Sequence, residues 1–196
     1  MNPVAPTPRE LSTRRLTLRP IRESDAELYC TLYCDPETMR FIGPAWTRAE
    51  AARAFRGVLD ATRATPPRAL FLTMIPKVAQ QPTGLCTLQN FDAPKRRAEL
   101  GMMLLPTGRA HGVATEGLIA FLAHAFATLP LDEIWARFAI DHAAARHTAR
   151  SGGLIRHAKV APEDLAANLW RWSAHRSSWR RTAREPFSVR CSSTNE

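Results

Sequence analysis

A chain of 196 residues with 45% hydrophobic content can bury one core, and its length suits a single domain. Its 27 lysines and arginines against 18 acidic residues leave a net charge of +9, a field that attracts anions and polyanions. No apolar run approaches the roughly eighteen residues of a membrane span, and Met1 to Pro8 lacks the blocks of a signal peptide, so the reading excludes a membrane protein and expects a cytoplasmic one.

Residues 1–10 hold three prolines and read as a flexible N-terminal arm. Residues 14–20 alternate Leu16 and Leu18 with Arg15, Thr17 and Arg19, a half-buried strand ended by Pro20. Ser24-Asp25-Ala26-Glu27 then reads as a capping box opening a helix over about 24–34. Cys30 and Cys34 share one face of that helix; like Cys86 and Cys191 they lack metal-ligand spacing, and they read as small buried side chains. A short helical turn from Asp35 to Met39 leads into an apolar loop, Phe41 to Trp46. Thr47-Arg48-Ala49-Glu50 is a second capping box, with Ala51, Ala54, Phe55, Val58 and Leu59 on one side of the helix it opens. Pro66-Pro67 breaks that helix, and strands 69–75 and 84–88 form an antiparallel hairpin.

A turn through Asp92 to Arg97 delivers a strand over 98–105, a short loop, and a helix opening on Gly112 and running to Thr128. Several backbone N–H groups then lack partners at the positive end of a helix dipole, which is an anion site. The alternative is a junction that only turns a corner. Residues 131–140 alternate as a further strand, 141–150 form a short helix ended by Gly152-Gly153, and 154–160 and 168–179 read as closing strands with Trp170, Trp172 and Trp179 supplying bulk. Residues 180–196 show no periodicity and read as a basic, mobile tail. The fold class is α/β (α+β): one domain with a mixed, mostly antiparallel sheet flanked by helices, in the order β-α-α-β-β-β-α-β-α-β-β.

The pattern Arg109-x-x-Gly112-x-Ala114, with Thr115-Glu116 behind it and Glu99-Leu100-Gly101 on the strand before it, resembles the acyl-CoA pyrophosphate loop of the GNAT acetyltransferases. It looks most like the RimJ/RimL-type branch, which acetylates primary amines. Arg15 to Pro20 followed by Glu23 to Ala26 resembles that branch's first strand and helix start, and Ser178-Trp179 its closing strand, so the likeness covers residues 11–179. It implies acetyl-CoA (coenzyme A) held by Leu104, Arg109, Ala110, His111, Gly112, Val113 and Ala114, and an amine acceptor, either a protein N-terminus or a small molecule. It further implies an acceptor wall that includes Phe41 and Trp46, and an oxyanion donor on the backbone of 98–105, with Leu104-Leu105-Pro106 splaying that strand from its parallel neighbour. Glu99 is the candidate base; the alternative is a surface glutamate offsetting Arg96 and Arg97. Glu116, in the first helical turn, reads as a structural cap.

The chain departs from the family at the general acid. The usual tyrosine after the strand 131–140 is missing, since the two tyrosines are Tyr29 and Tyr33. His142 and Ala145 stand where the family commonly has asparagine and serine. His142 is then a proton donor, a hydrogen-bond partner of the pantetheine arm, or simply an N-cap. The second functional reading is an impaired acyl-CoA-binding or RNA/ribosome-associated protein. The +9 charge suits an acidic or nucleic-acid-associated partner, or is only a solvated basic surface, densest from Arg171 to Arg184. The chain is expected to be a monomer or homodimer.

Overall fold

The computed structural model describes residues 10–109, 112–159, 161–182 and 190–191. In chain order the elements are β1 (Leu11–Ser12), β2 (Leu16–Pro20), α1 (Ala26–Cys34), α2 (Pro36–Met39), α3 (Arg48–Arg63), β3 (Leu70–Pro76), β4 (Gly84–Asp92), β5 (Arg97–Leu104), α4 (Val113–Thr128), β6 (Glu133–Ala139), α5 (Ala143–Ser151), β7 (Ile155–Arg156), α6 (Pro162–Ala166), β8 (Leu169–His175), α7 (Arg176–Thr182) and β9 (Arg190–Cys191). The strands form one nine-stranded sheet in the order β7-β8-β6-β5-β4-β3-β2-β1-β9. Every neighbour is antiparallel except β5 and β6, which α4 joins as a crossover.

Two cores lie on opposite faces. On one, Leu72, Cys86, Leu88, Leu100, Ile134 and Trp172 pack with Leu118, Phe121, Leu122 and Phe126 of α4 and Trp179 of α7. On the other, Phe71 and Leu85 pack beneath Leu28, Tyr29 and Leu32 of α1 and Phe55 and Leu59 of α3, with Met103 of β5 at the margin. Period-two alternation puts Glu99, in register with Gln89 and Trp135, on this second, front face beside Met103.

The Thr47–Glu50 capping box forms as the sequence predicts: Glu50 N donates to Thr47 Oγ1 at 3.3 Å, and Thr47 N donates to Glu50 Oε2 at 2.8 Å. The expected Ser24–Glu27 box does not form. Asp25 is buried, taking Arg19 Nη1 and Nη2 at 2.7 and 2.8 Å, Thr73 Oγ1 at 2.9 Å and Arg22 N at 2.8 Å, so a 3-10 turn over Glu23–Asp25 precedes a helix that starts at Ala26. The closing strand 168–179 also ends early. Arg176 turns the chain into α7, its guanidinium capping the carbonyls of Phe126, Leu129 and Leu131 at the end of α4, and Trp179 packs from a helix with Nε1 donating to Gly152 O at 2.9 Å. The expected strand 154–160 is reduced to Ile155–Arg156, and α6 is a helix the sequence reading did not contain. Most of the expected mobile tail lies outside the described residues. Within them, residues 180–182 continue α7, and Arg190–Cys191 pairs with β1.

Candidate active site

The site begins where two parallel strands part. β5 and β6 pair only through Arg97 with Glu133, Ala98 with Ile134 and Glu99 with Trp135. Beyond Glu99, β5 continues to Leu104 in register with β4, and β6 continues to Ala139 in register with β8. The facing edges of Gly101–Leu104 and Ala136–Ala139 therefore have no ladder partner across the gap, and the sheet opens into a wedge lined by backbone N–H and C=O groups. The split starts at Glu99, well before Leu104-Leu105-Pro106, where the sequence reading placed it. β5 is held to the β4 side: Leu105 N donates to Thr83 O at 2.8 Å, and a Cβ on Gly84 would lie 2.5 Å from Met103 O, so only glycine permits that approach.

At the outer end of β5 a 3-10 turn over Pro106–Gly108 leads to Gly112, which has φ +72° and starts α4. Arg15 from β2's approach lies here, with Nη2 3.4 Å from where a Gly112 Cβ would stand. Arg15 is held by Glu116, which is 2% exposed and accepts from Arg15 Nε at 2.6 Å, Arg15 N at 2.8 Å and Thr13 Oγ1 at 2.6 Å. Burial alone would raise the Glu116 carboxyl; the hydrogen bonds from Thr13 and Arg15 outweigh it and lower the pKa below the ordinary value. Glu116 thus fastens α4 to the first hairpin, a structural role like the one expected, though its partners are tertiary. Arg109 donates Nε to Leu104 O at 3.1 Å, Nη1 to Glu37 Oε1 at 3.0 Å and Nη2 to Thr38 Oγ1 at 2.8 Å, so its charge stands between the loop and α2. Val113 and Ala114 form the first turn of α4; Ala110 and His111 lie outside the described residues.

Glu99 sits at the apex of the wedge, on the front face. Oε2 accepts from Asn90 Nδ2 at 2.8 Å, and Oε1 meets Arg137 Nε at 3.3 Å. Asn90 reaches it because β4 shifts register between Gln89 and Asp92, where Asn90 takes φ +50°. Gly101 keeps the adjacent surface low: a Cβ there would lie 2.6 Å from Thr87 Oγ1.

His142 caps α5, with Nδ1 accepting from Ala145 N at 3.4 Å, which leaves the ring proton on Nε2. Burial, reinforced by the nearby Arg109 and Arg40 and opposed by Asp141, lowers its pKa from the usual histidine value. Its ring stacks on Phe41 with centroids 4.1 Å apart, so the apolar loop after α2 meets α5 directly. Trp46 is turned elsewhere: it stacks on Tyr33 at 4.6 Å, and Tyr33 stacks on Tyr29 at 4.4 Å.

The Acetyltransferase (GNAT) domain family matches residues 15–155. The chain belongs to the GNAT acetyltransferases. It is 30% identical over 132 residues, 65% of this chain and 71% of the relative, to the uncharacterized N-acetyltransferase p20 of Bacillus licheniformis. A spermidine N-acetyltransferase from Vibrio cholerae, solved with CoA and spermine, shares the fold at TM-score 0.71 and 17% identity, covering 85% of this chain and 98% of its own. The ribosomal L7/L12 α-N-protein acetyltransferase RimL, solved with CoA, superposes at TM-score 0.69 with 12% identity over 88% and 97% of the two chains.

Around Glu99 this GNAT domain carries residues that sequence reasoning missed. Arg137, Asp164, Arg171 and Asn90 are scattered over β4, β6, α6 and β8, and the left-handed bulge at Asn90, the register of β6 on β8 and the seating of α6 against β8 bring them together. No helix among the described residues is long and apolar enough to cross a membrane.

Proposed function

We propose that this GNAT domain transfers an acetyl group from acetyl-CoA to a primary amine, either a protein N-terminus or a small molecule, in the manner of the RimJ/RimL-type branch. The observation that carries the reading is the wedge between β5 and β6 opening beside the N-terminus of α4. Backbone N–H groups at Gly112 to Ala114, with Arg109 and Arg15 nearby, suit a pyrophosphate. The edges of Gly101–Leu104 and Ala136–Ala139, which do not pair with each other across the gap, suit the amides of an extended pantetheine arm and an N–H for the oxyanion. The two CoA-bound neighbours are a spermidine and a protein α-N-acetyltransferase, chemistries that share a primary amine.

The acceptor enters on the front face, where Phe41 on His142 flanks the approach, while Trp46 backs the wall from behind through its stack on Tyr33. Glu99 keeps lone pairs beyond those bound by Asn90 and Arg137, and acts directly or through a bound water to take the proton the amine loses. The amine nitrogen attacks the thioester carbon, the C–S bond breaks, and the products are an amide and, once the thiolate is protonated, free CoA. His142 has its charged form disfavoured, so it acts as a hydrogen-bond donor through Nε2–H and leaves the thiolate's proton to solvent or the amine.

Release of CoA thiol from acetyl-CoA, followed across a panel of primary amines and peptides, tests the reading. An amine-dependent signal with an N-acetylated product is expected. Binding of acetyl-CoA with no acceptor turned over by any amine, peptide or aminoacyl-tRNA would overturn it.

A further inference from the structure

On the front face of the sheet, Arg137 of β6 stands directly across from Arg171 of β8. Like charges opposed in an antiparallel pair repel, and such a pair persists only where something holds it. Asp164 does so. Its side chain is wholly buried, and it accepts from Arg171 Nε at 3.0 Å and from Arg137 Nη1 at 3.4 Å, with Arg171 Nη2 at 2.9 Å. Both guanidiniums also lie against the ring of Trp135, the residue in register with Glu99, at 5.1 Å for Arg137 and 4.5 Å for Arg171. Arg137 therefore presents two faces of one planar fork: Nη1 to Asp164, and Nε to Glu99 Oε1 at 3.3 Å.

We infer that Arg137 and Asp164 are positioning residues for Glu99, and that α6 completes the acceptor side of the site by delivering Asp164. This rests on the role given to Glu99 above. Asp164 anchors Arg171 and draws part of the Arg137 charge away from Glu99, so that Glu99 is oriented from one side by Arg137 and from the other by Asn90 without being closed into an exclusive ion pair. Without Asp164 the two guanidiniums lose their shared counter-ion, and Arg137 turns wholly onto Glu99, competing with the acceptor amine for the same oxygen. Without Arg137, the Oε1 side of Glu99 loses its fixed direction.

A double-mutant cycle on the full chain tests the coupling, because residues acting through one another are non-additive whereas independent structural effects add. Asp164→Asn and Arg137→Gln are each expected to lower kcat for amine acetylation about tenfold with KM for acetyl-CoA unchanged, and to change kcat less than about twofold when Glu99 is already Gln. Arg137→Lys keeps the charge but cannot span both carboxylates, and should recover only part of the rate. Equal loss from Asp164→Asn in both backgrounds, or a parental rate in a folded Asp164→Asn protein, would overturn the inference. Should Asp164→Asn fail to fold, the cycle with the partly exposed Arg137 decides by the same criterion. If Glu99→Gln alone leaves kcat at the parental value, the role of Glu99 falls and this inference with it; if Glu99→Gln is slow but the cycle is additive, only the coupling falls.

Discussion

Replacing Glu116 should loosen the attachment of α4 to the first hairpin and measure what holds the N-terminal end of that helix, the proposed anion site, in place. The carboxylate is 2% exposed and accepts three donors, from Thr13 Oγ1, Arg15 N and Arg15 Nε. Hydrogen bonds to a buried charge are each worth about 1.5–3 kcal/mol, but they are not additive, and the Arg15 side chain is 35% exposed and can rehydrate. The hydroxyl of Thr13, which is 5% exposed, cannot rehydrate freely and would fall back on the longer bond to Leu16 O at 3.2 Å. Glu116→Gln keeps an acceptor oxygen but turns an NH2 toward a donor, so about 2 kcal/mol should be lost; Glu116→Ala strips all three contacts and should cost about 3–4 kcal/mol, a large part of the stability of a domain this size. The folded pKa of Glu116 lies below its unfolded value, so the contribution is fully present above the ordinary glutamate range near about 4.3 and is lost as pH falls through the folded pKa. Urea unfolding of parent and variants at pH 7 and in steps below pH 4.5 reads both effects: the gap should be full at neutral pH and narrow on acidification. A loss under about 0.5 kcal/mol at pH 7, or a gap independent of pH, would refute the reasoning.

Glu99→Gln preserves shape and removes the charge, so turnover at neutral pH should fall about a hundredfold in a thiol-release assay; a rate within about twofold of the parent would remove Glu99 from the chemistry. Gly112→Val puts a β-branched residue at φ +72° in the proposed pyrophosphate site, so calorimetry should show CoA affinity at least about tenfold weaker, with a modest drop in Tm from backbone strain. His142→Phe keeps the stack on Phe41 while removing both ring nitrogens, and should lower kcat more than it changes the Tm, checked by parallel kinetics and melting. If the +9 charge guides a polyanionic partner, retention on RNA should fall steeply between low and physiological salt, and salt-independent behaviour would leave the charge as a solubility feature.

The parts of the fold written within a few residues were legible. Thr47 and Glu50 cap each other across one turn, and Arg109 to Ala114 carries its loop-to-helix pattern in a single stretch. Ser24–Glu27 has the same local pattern as Thr47–Glu50, yet Asp25 is taken by Arg19 and by Thr73, 48 positions away, and no local rule foresees that competition. The alternation of Trp170 and Trp172 was real; extending it through Trp179 failed because Arg176, satisfying carbonyls at the end of α4, turns the chain into a helix. Glu99 and His142 were candidates only through the family resemblance, as the strand glutamate and the residue at the usual asparagine position. Their partners were not legible, since Arg137 lies 38 residues from Glu99, Asp164 lies 27 from Arg137, and Phe41 reaches His142 only through the seating of α2.

Amide hydrogen exchange with and without CoA tests most directly whether the wedge between β5 and β6 is the cofactor site. Strong added protection in the backbone of residues 100–105 and 112–117, with little change in β2 and β3 at the far side of the sheet, is the predicted result. CoA binding that leaves the exchange of both stretches unaltered would contradict it.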